Sequence, residues 1–494
     1  MKNIKIKQTT WNLKLLFSDD NDPKIERKRK VLEQESYKFI NKWKDRNDYL
    51  KKPAILKQAL DEYEKWQRLY GADGDEGYYF YLRTCQDKNN PGLKAKLNKI
   101  KDFSQKIQND IMFFELRLAK IPPNKQREFL KSDDLKNYRH FLERLFAQAK
   151  YLLSEPEEKI LNLKSSTSYS NWVDMVSGFL AKEERGILLE NGKKQTKNFS
   201  EIMGLIDSQN KKTRDSAAAA FNDILVKYVD VAEIEINSIL DDKKTNDELR
   251  GATRPDLLRH IHDDIESGVI DSLINSVSNR FDIARRFYEL KAALLGVKKL
   301  EYHERNVPYG KIDKKYSFNY AINIVYKVFK NLDDKFSDIF VKFINNGQMD
   351  MYPKKGKESN AFCFYNLISQ PTYILLNYTG KLRDMSTLAH ELGHGINNEL
   401  IKERQNSLNF NLPASTAEVA STFMEDFVLE EIIKKSDNEL RLAIMVAKLN
   451  DDVSTIFRQV ALYKFEQELH SEFRNKGYLS KKEIGKLFQK HMSA

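Results

Sequence analysis

Apolar residues recur at helical spacing along most of this chain. After Asp22 and Pro23, the residues Leu32, Phe39, Ile40 and Trp43 fall on one face of a first long helix. Asp22 suits the N-cap and Pro23 the first helical position. A second helix runs from Pro53 towards Tyr70 and stops at the loop GADGDEG. NNPG at 89–92 breaks the pattern before another long helical stretch through Phe114 and Leu118, which IPPNK ends. Helical spacing resumes near Leu135 and continues past Leu153. The period then changes. GILLENGKKQTKNF holds Asn191-Gly192 between two short runs, a signature of a two-residue hairpin turn. Beyond it, Ser200 is placed to cap a helical series extending to about Leu300. This change predicts a boundary near residue 198, with an N-terminal helical domain over 1–198 and a second domain over 199–494. Later, AFCFYNL (361–367) and YILLNYTG (373–380) mix aromatic and β-branched residues and predict short strands, the second closed by Gly380. Asp384 or Ser386 can then cap a further helix. The pattern as a whole is mostly α.

Composition agrees. Only 19 Gly and 11 Pro occur in 494 residues, which favours long helices over many short strands. The formal net charge of +11 raises nucleic-acid binding as a function. The lysines are nevertheless spread through the chain and interleaved with Asp and Glu. No dense basic block or nucleic-acid module is present, so the charge reads as a solvated surface. The two cysteines, Cys85 and Cys363, form no disulfide framework and imply a reducing compartment. The N-terminal MKNIKIKQTTWNLK lacks an apolar signal core, and no run of about 18 apolar residues occurs. A cytoplasmic protein that does not span membranes is expected.

The chemistry concentrates in LAHELGHGIN (388–397). Residues four apart share a helix face, about 6 Å apart along the axis, so His390 and His394 can address one ion. Zinc accepts imidazole nitrogens in tetrahedral geometry. Glu391, beside the first histidine, can reach a water without ligating the metal, an arrangement that suits metal-assisted hydrolysis. With 8 His in 494 residues, a chance H-E-x-x-H is rare. A third ligand belongs on a nearby element. Glu418 lies in the first turn of a predicted helix entered after Pro413, 24 residues beyond His394. Spacing leaves two roles open for it, because Ser415-x-x-Glu418 also matches a capping box. Glu425, seven residues further on the same face, is either a carboxylate orienting a histidine or a solvated one. His260 and His262, two apart, point to different faces and read as structural. His303 and His470 read as isolated.

TLAHELGHGIN followed by LPASTAEVASTFMED resembles the oligoendopeptidase F family of zinc metallopeptidases, relatives of thimet oligopeptidase. WNLKLLFSDDNDP, DDKKTNDELRG, RRFYELKAALLG and KGKESNAFCF also stand in the family's order, so the resemblance covers nearly the whole chain. It implies two helical halves flanking a deep channel, with a small β-sheet beside the active-site helix. It implies one zinc held by His390, His394 and Glu418, with Glu391 as general base, and internal cleavage of short peptides. The AFC strand could pair with substrate backbone. The partners implied are short peptides, with neither nucleic acid nor membrane; nothing in the sequence indicates an oligomeric state. Family members continue past the region resembling GYLSKKEIGKLF, with a His and Tyr residues that bind substrate and oxyanion. This chain stops at QKHMSA. Two expectations follow: an active zinc endopeptidase, or a C-terminally truncated fragment that binds zinc and peptide but is catalytically impaired.

Overall fold

Asp22 caps the first helix, Pro23–Trp43, as its position implies: its carboxylate accepts the Lys24 N–H at 2.8 Å. The computed structural model describes residues 4, 6, 8–310 and 315–493. They group into two compact units, Met1–Glu155 with Ile312–Lys435, and Pro156–Lys311 with Ser436–Ala494. The boundary expected near 198 lies inside the second unit. The change of period there marks a hairpin that packs within that unit, not a break between units. Among the described residues, helices dominate and five short strands occur: β1 (Glu184–Leu188), β2 (Lys194–Asn198), β3 (Met349–Asp350), β4 (Phe362–Phe364) and β5 (Tyr373–Leu375).

In the first unit, helices Pro23–Trp43, Pro53–Leu69, Pro91–Ile111 and Phe113–Ala119 enclose an aromatic core. Phe39, Trp43, Tyr49, Tyr63, Trp66 and Phe114 are all buried there. Trp43 meets Tyr49 edge-on at 5.7 Å, and Phe39 meets Phe114 at 5.1 Å. Such pairs add to the large area each ring buries. GADGDEG is only partly a loop. A helix, Gly74–Gln86, begins inside it, with Asp75 and Glu76 in the first turn, where acidic groups favour the helix dipole.

The sheet that supports the candidate site has the order β3-β5-β4, with β3 and β5 parallel and β4 and β5 antiparallel. Both predicted strands are shorter than their sequence runs. Beyond Leu375 the chain keeps bonding on the β3 side, through Leu376 N–H to Asp350 O at 2.7 Å and Tyr378 N–H to Met351 O at 2.9 Å, and leaves β4 behind. The N-terminal stretch braces this sheet. Trp11 Nε1 donates to Ile374 O at 2.8 Å, and Asn12 N–H to Gly347 O at 2.7 Å. Lys357, almost fully buried, ties the approach to β4 onto the other strands by contacts of 2.7 Å to Asp350 Oδ1 and 2.6 Å to Leu376 O.

The second unit opens on a run of helices and the β1–β2 hairpin. The hairpin loop is one residue longer than the sequence signature implies: Leu189 and Lys193 pair across three residues, of which Gly192 alone is left-handed, at φ +75°, the pattern of a type I turn followed by a left-handed residue. Ser200 is not the cap of the following helix. Asn198 is, in a reciprocal capping box with Glu201, and the helix spans Phe199–Ile206. Ile187, Ile202, Ala217 and Ile224 form one apolar cluster, and Leu240, Phe465, Leu469, Phe473 and Leu479 another. The described residues hold no helix long and apolar enough to cross a membrane.

Candidate metal centre

The HELGH residues lie on helix Leu382–Arg404 in the first unit. It starts earlier than either Asp384 or Ser386 would place it. Asp384 sits in its first turn, accepting the N–H groups of Thr379 and Lys381 at 2.6 and 3.0 Å. Met385, Leu388, Ala389, Leu392 and Ile396 are buried at helical spacing and anchor one face. His390 and His394 follow that face by one position, so packing fixes where they point. Their ring centroids are 5.0 Å apart.

Glu418 meets them from helix Ala414–Lys434. Its Oε2 lies 3.2 Å from His390 Nε2 and 3.3 Å from His394 Nε2. All three candidate ligand atoms lie within 4.8 Å of one another. A tetrahedral ion with bonds of ~2.0–2.2 Å separates neighbouring ligand atoms by about 3.3–3.5 Å. Two imidazoles and a carboxylate at this spacing therefore fit zinc. The capping role open to Glu418 is not taken. The helix begins at Ala414, so Ser415 lies inside it, and the N-cap is Pro413 with no side-chain cap bond.

Two features of this approach are not visible in the sequence motif. Gly393, inside HELGH, lies where the two helices cross: a Cβ there would come within 2.7 Å of Ala420 O and Ser421 Cα. The missing side chain lets the helices approach until Glu418 reaches both rings. Ser421, fully buried, places its Oγ 2.7 Å from Glu418 Oε2. It stands three residues after Glu418, the one local signal that could have marked it.

Glu425 lies beside His390, with Oε2 3.2 Å from Nδ1. A proton on Nδ1 donated to this carboxylate leaves the Nε2 lone pair facing Glu418 and His394. The same contact raises the His390 pKa above its ordinary value, while burial lowers that of His394. We expect Glu425→Gln to weaken zinc affinity by about 10–100-fold without abolishing binding, as loss of such an orienting partner does elsewhere. Competition with a chelator of known affinity measures this, and an unchanged constant would remove Glu425 from the site.

Glu391 is 7% exposed and faces the sheet. Burial pushes its carboxyl up to about 7, against the opposing pull of His390 and of the Cys363 N–H that it accepts. Cys363 pairs with Ile374, whose N–H bonds towards β3, to Gln348 O at 2.9 Å. In an antiparallel ladder the Cys363 N–H and C=O therefore point to the open edge of β4, where Glu391 lies.

The remaining histidines separate cleanly. His260 is buried and satisfied by Ser267 Oγ at 2.9 Å and Tyr463 OH at 3.0 Å, a structural role as its spacing implied. His303 is not isolated. It lies 3.0 Å from Asp215 Oδ1, and with Glu304 these form a second group of metal-ligand type. Glu304 already binds Arg214 Nη2 at 2.7 Å and Lys211 Nζ at 3.2 Å. Two cations hold its charge, so this group reads as an ion-pair network. Burial lowers the His470 pKa to about 4.

Comparison with known proteins converges on one family. The family model described as peptidase family M3 matches residues 205–493, and that described as oligopeptidase F matches residues 117–176. An oligoendopeptidase F homolog of Borreliella burgdorferi is 25% identical over 476 residues, covering 93% of this chain and 76% of its own. Oligopeptidase PepF of Bacillus subtilis is 24% identical over 475 residues, covering 94% and 69%. The crystal structure of oligoendopeptidase-F from Enterococcus faecium superposes with a TM-score of 0.65 at 18% identity, over 95% of this chain and 79% of that one, a likeness of fold.

Proposed function

Because this chain belongs to peptidase family M3, and is thereby a metallopeptidase acting on oligopeptides, we propose that it hydrolyses internal bonds of short peptides with one zinc held by His390, His394 and Glu418. The observation that carries this is the single carboxylate oxygen of Glu418 lying 3.2 and 3.3 Å from the two imidazole Nε2 atoms. Zinc there supplies Lewis acidity, which makes a water nucleophilic near neutral pH and steadies negative charge on the carbonyl oxygen.

The chain's own groups do the rest. Glu391 accepts a proton at its carboxylate as the water oxygen bonds to the peptide carbonyl carbon. It then delivers that proton to the leaving nitrogen as the C–N bond breaks. Burial raises the affinity of this carboxyl for a proton, which favours its carrying one between the two transfers. The Cys363 N–H, donated to this carboxylate, restrains its direction. Glu425 holds the His390 Nδ1 proton. The open edge of β4 lies beside Glu391 and can take an extended peptide by main-chain hydrogen bonds, which makes few demands on substrate sequence.

The test is metal removal. A chelator should abolish cleavage of an internally quenched oligopeptide, and stoichiometric zinc should restore it. Cleavage that survives with no measurable metal would sink this reading.

A further inference from the structure

A cavity of about 450 Å³ lies within the first unit, in the range of ligand pockets. Its walls come from helices Pro53–Leu69, Pro91–Ile111 and Arg139–Gln148, from residues 366–367, and from residues 407–411. Five carboxamides line it: Gln67, Gln108, Gln148, Asn366 and Asn411. None of the five side chains has a hydrogen-bond partner among the described residues, although Gln67, Gln148 and Asn366 are half-buried. Trp66, Ile111 and Phe141 supply apolar surface between them. No Lys or Arg lines the cavity, and its two carboxylates are engaged, Glu115 by Tyr63 OH at 2.8 Å and Asp73 by Ser104 Oγ.

This lining selects a class of ligand. Without a cation, the cavity does not suit phosphates or acidic molecules. Each carboxamide offers an acceptor oxygen and two N–H donors, the complement of a peptide unit with its one N–H and one C=O. Unpartnered amides with apolar surface between them suit an uncharged main chain with small or apolar side chains.

Its position ties it to the proposed active site. Asn366 stands two residues beyond the end of β4, and Asn411 lies in the segment joining helix Leu382–Arg404 to helix Ala414–Lys434. Antiparallel pairing is the slightly more stable arrangement on an open edge. A peptide so paired on β4 runs opposite to it, so its N-terminal residues extend past Phe364 towards Asn366.

We propose that this carboxamide-lined cavity is a remote substrate subsite, binding through main-chain hydrogen bonds the residues that precede the scissile bond. The proposal rests on the peptidase reading above and adds to it a preference for length on one side of the cleavage point. Binding energy of this kind is felt before and during the chemical step alike, so it lowers KM and leaves kcat nearly unchanged.

The experiment uses the zinc-loaded full chain and quenched peptides with one constant cleavable core. The core is extended at its N-terminus by none to four alanines, and in a parallel series at its C-terminus. Each main-chain hydrogen bond gained is worth roughly 2–10-fold. KM should therefore fall by about tenfold or more across the N-terminal series, with kcat steady and no comparable trend in the C-terminal series. Asn366→Leu, near-isosteric, and Gln148→Leu, one heavy atom shorter, should each flatten the N-terminal trend. Gln67→Leu, on a different helix, replaces either one that fails to give the wild-type circular dichroism spectrum. A wild-type KM indifferent to N-terminal length, or a trend unchanged in these variants, overturns the proposal. If no peptide is cleaved, acetyl-tetra-alanine amide is titrated while tryptophan fluorescence is followed, Trp66 being in the cavity wall. A saturable change in the wild type that is lost in Asn366→Leu keeps the subsite although the peptidase reading fails. No change in the wild type removes the subsite as well.

Discussion

Glu391→Gln is expected to retain zinc and bind peptide while losing turnover by about 10²–10⁴-fold, the usual worth of a positioned general base. The separation follows from geometry. Glu391 is absent from the group formed by His390, His394 and Glu418, whose ligand atoms face one another within 4.8 Å. Its carboxylate points instead at the Cys363 N–H on the open edge of β4. Glutamine has nearly the same size and can still accept that N–H, so packing should be preserved. What disappears is the capacity to take and return a proton. The measurement pairs metal content with kcat on one peptide. A variant that matches the wild-type rate, or one that loses zinc along with activity, contradicts the role assigned to Glu391.

His394→Ala should have the opposite signature: metal and activity lost together. Zinc in a closed four-ligand site is bound by roughly 10–16 kcal/mol, so one ligand accounts for about 2.5–4 kcal/mol, or ~10²–10³-fold in affinity. The loss should exceed that of Glu425→Gln, because Glu425 touches His390 Nδ1 and not the side of the ring facing Glu418. Glu418→Ala should resemble His394→Ala. Elemental analysis after dialysis against a weak chelator orders the three variants. Full zinc occupancy in His394→Ala would mean that the ion sits elsewhere, and Asp215, His303 and Glu304 would be the next group to test.

The residues of the site were legible to different depths, and the reason is distance along the chain. His390 and His394 can be paired from spacing alone, because four residues make one turn of a helix and put both rings on one face. Asp22 could be assigned as a cap for the same reason: its bond reaches only to Lys24. Glu418 could not be decided by spacing. Its two candidate roles differ in where helix Ala414–Lys434 begins and how closely it approaches helix Leu382–Arg404. That approach depends on Gly393, where any side chain would strike the backbone at Ala420 and Ser421. Capping errors had a smaller cause of the same kind. Ser200 and Asn198 both suit an N-cap, and the reciprocal bond with Glu201 selects Asn198.

Local chemistry along the chain determined the helical class, the hairpin at Asn191-Gly192, the HELGH face and the strands around Phe362–Phe364 and Tyr373–Leu375. Each depends on contacts between residues a few positions apart, which sequence spacing encodes directly. The tertiary structure alone decided that the first compact unit is assembled from two separate stretches, Met1–Glu155 and Ile312–Lys435. It also decided that Trp11 braces the strand beneath the site from 363 residues away, and that five carboxamides from three helices and two loops face one cavity. Such placements arise from packing and hydrogen bonding between segments remote in sequence, and no periodicity along the chain records which segments will meet.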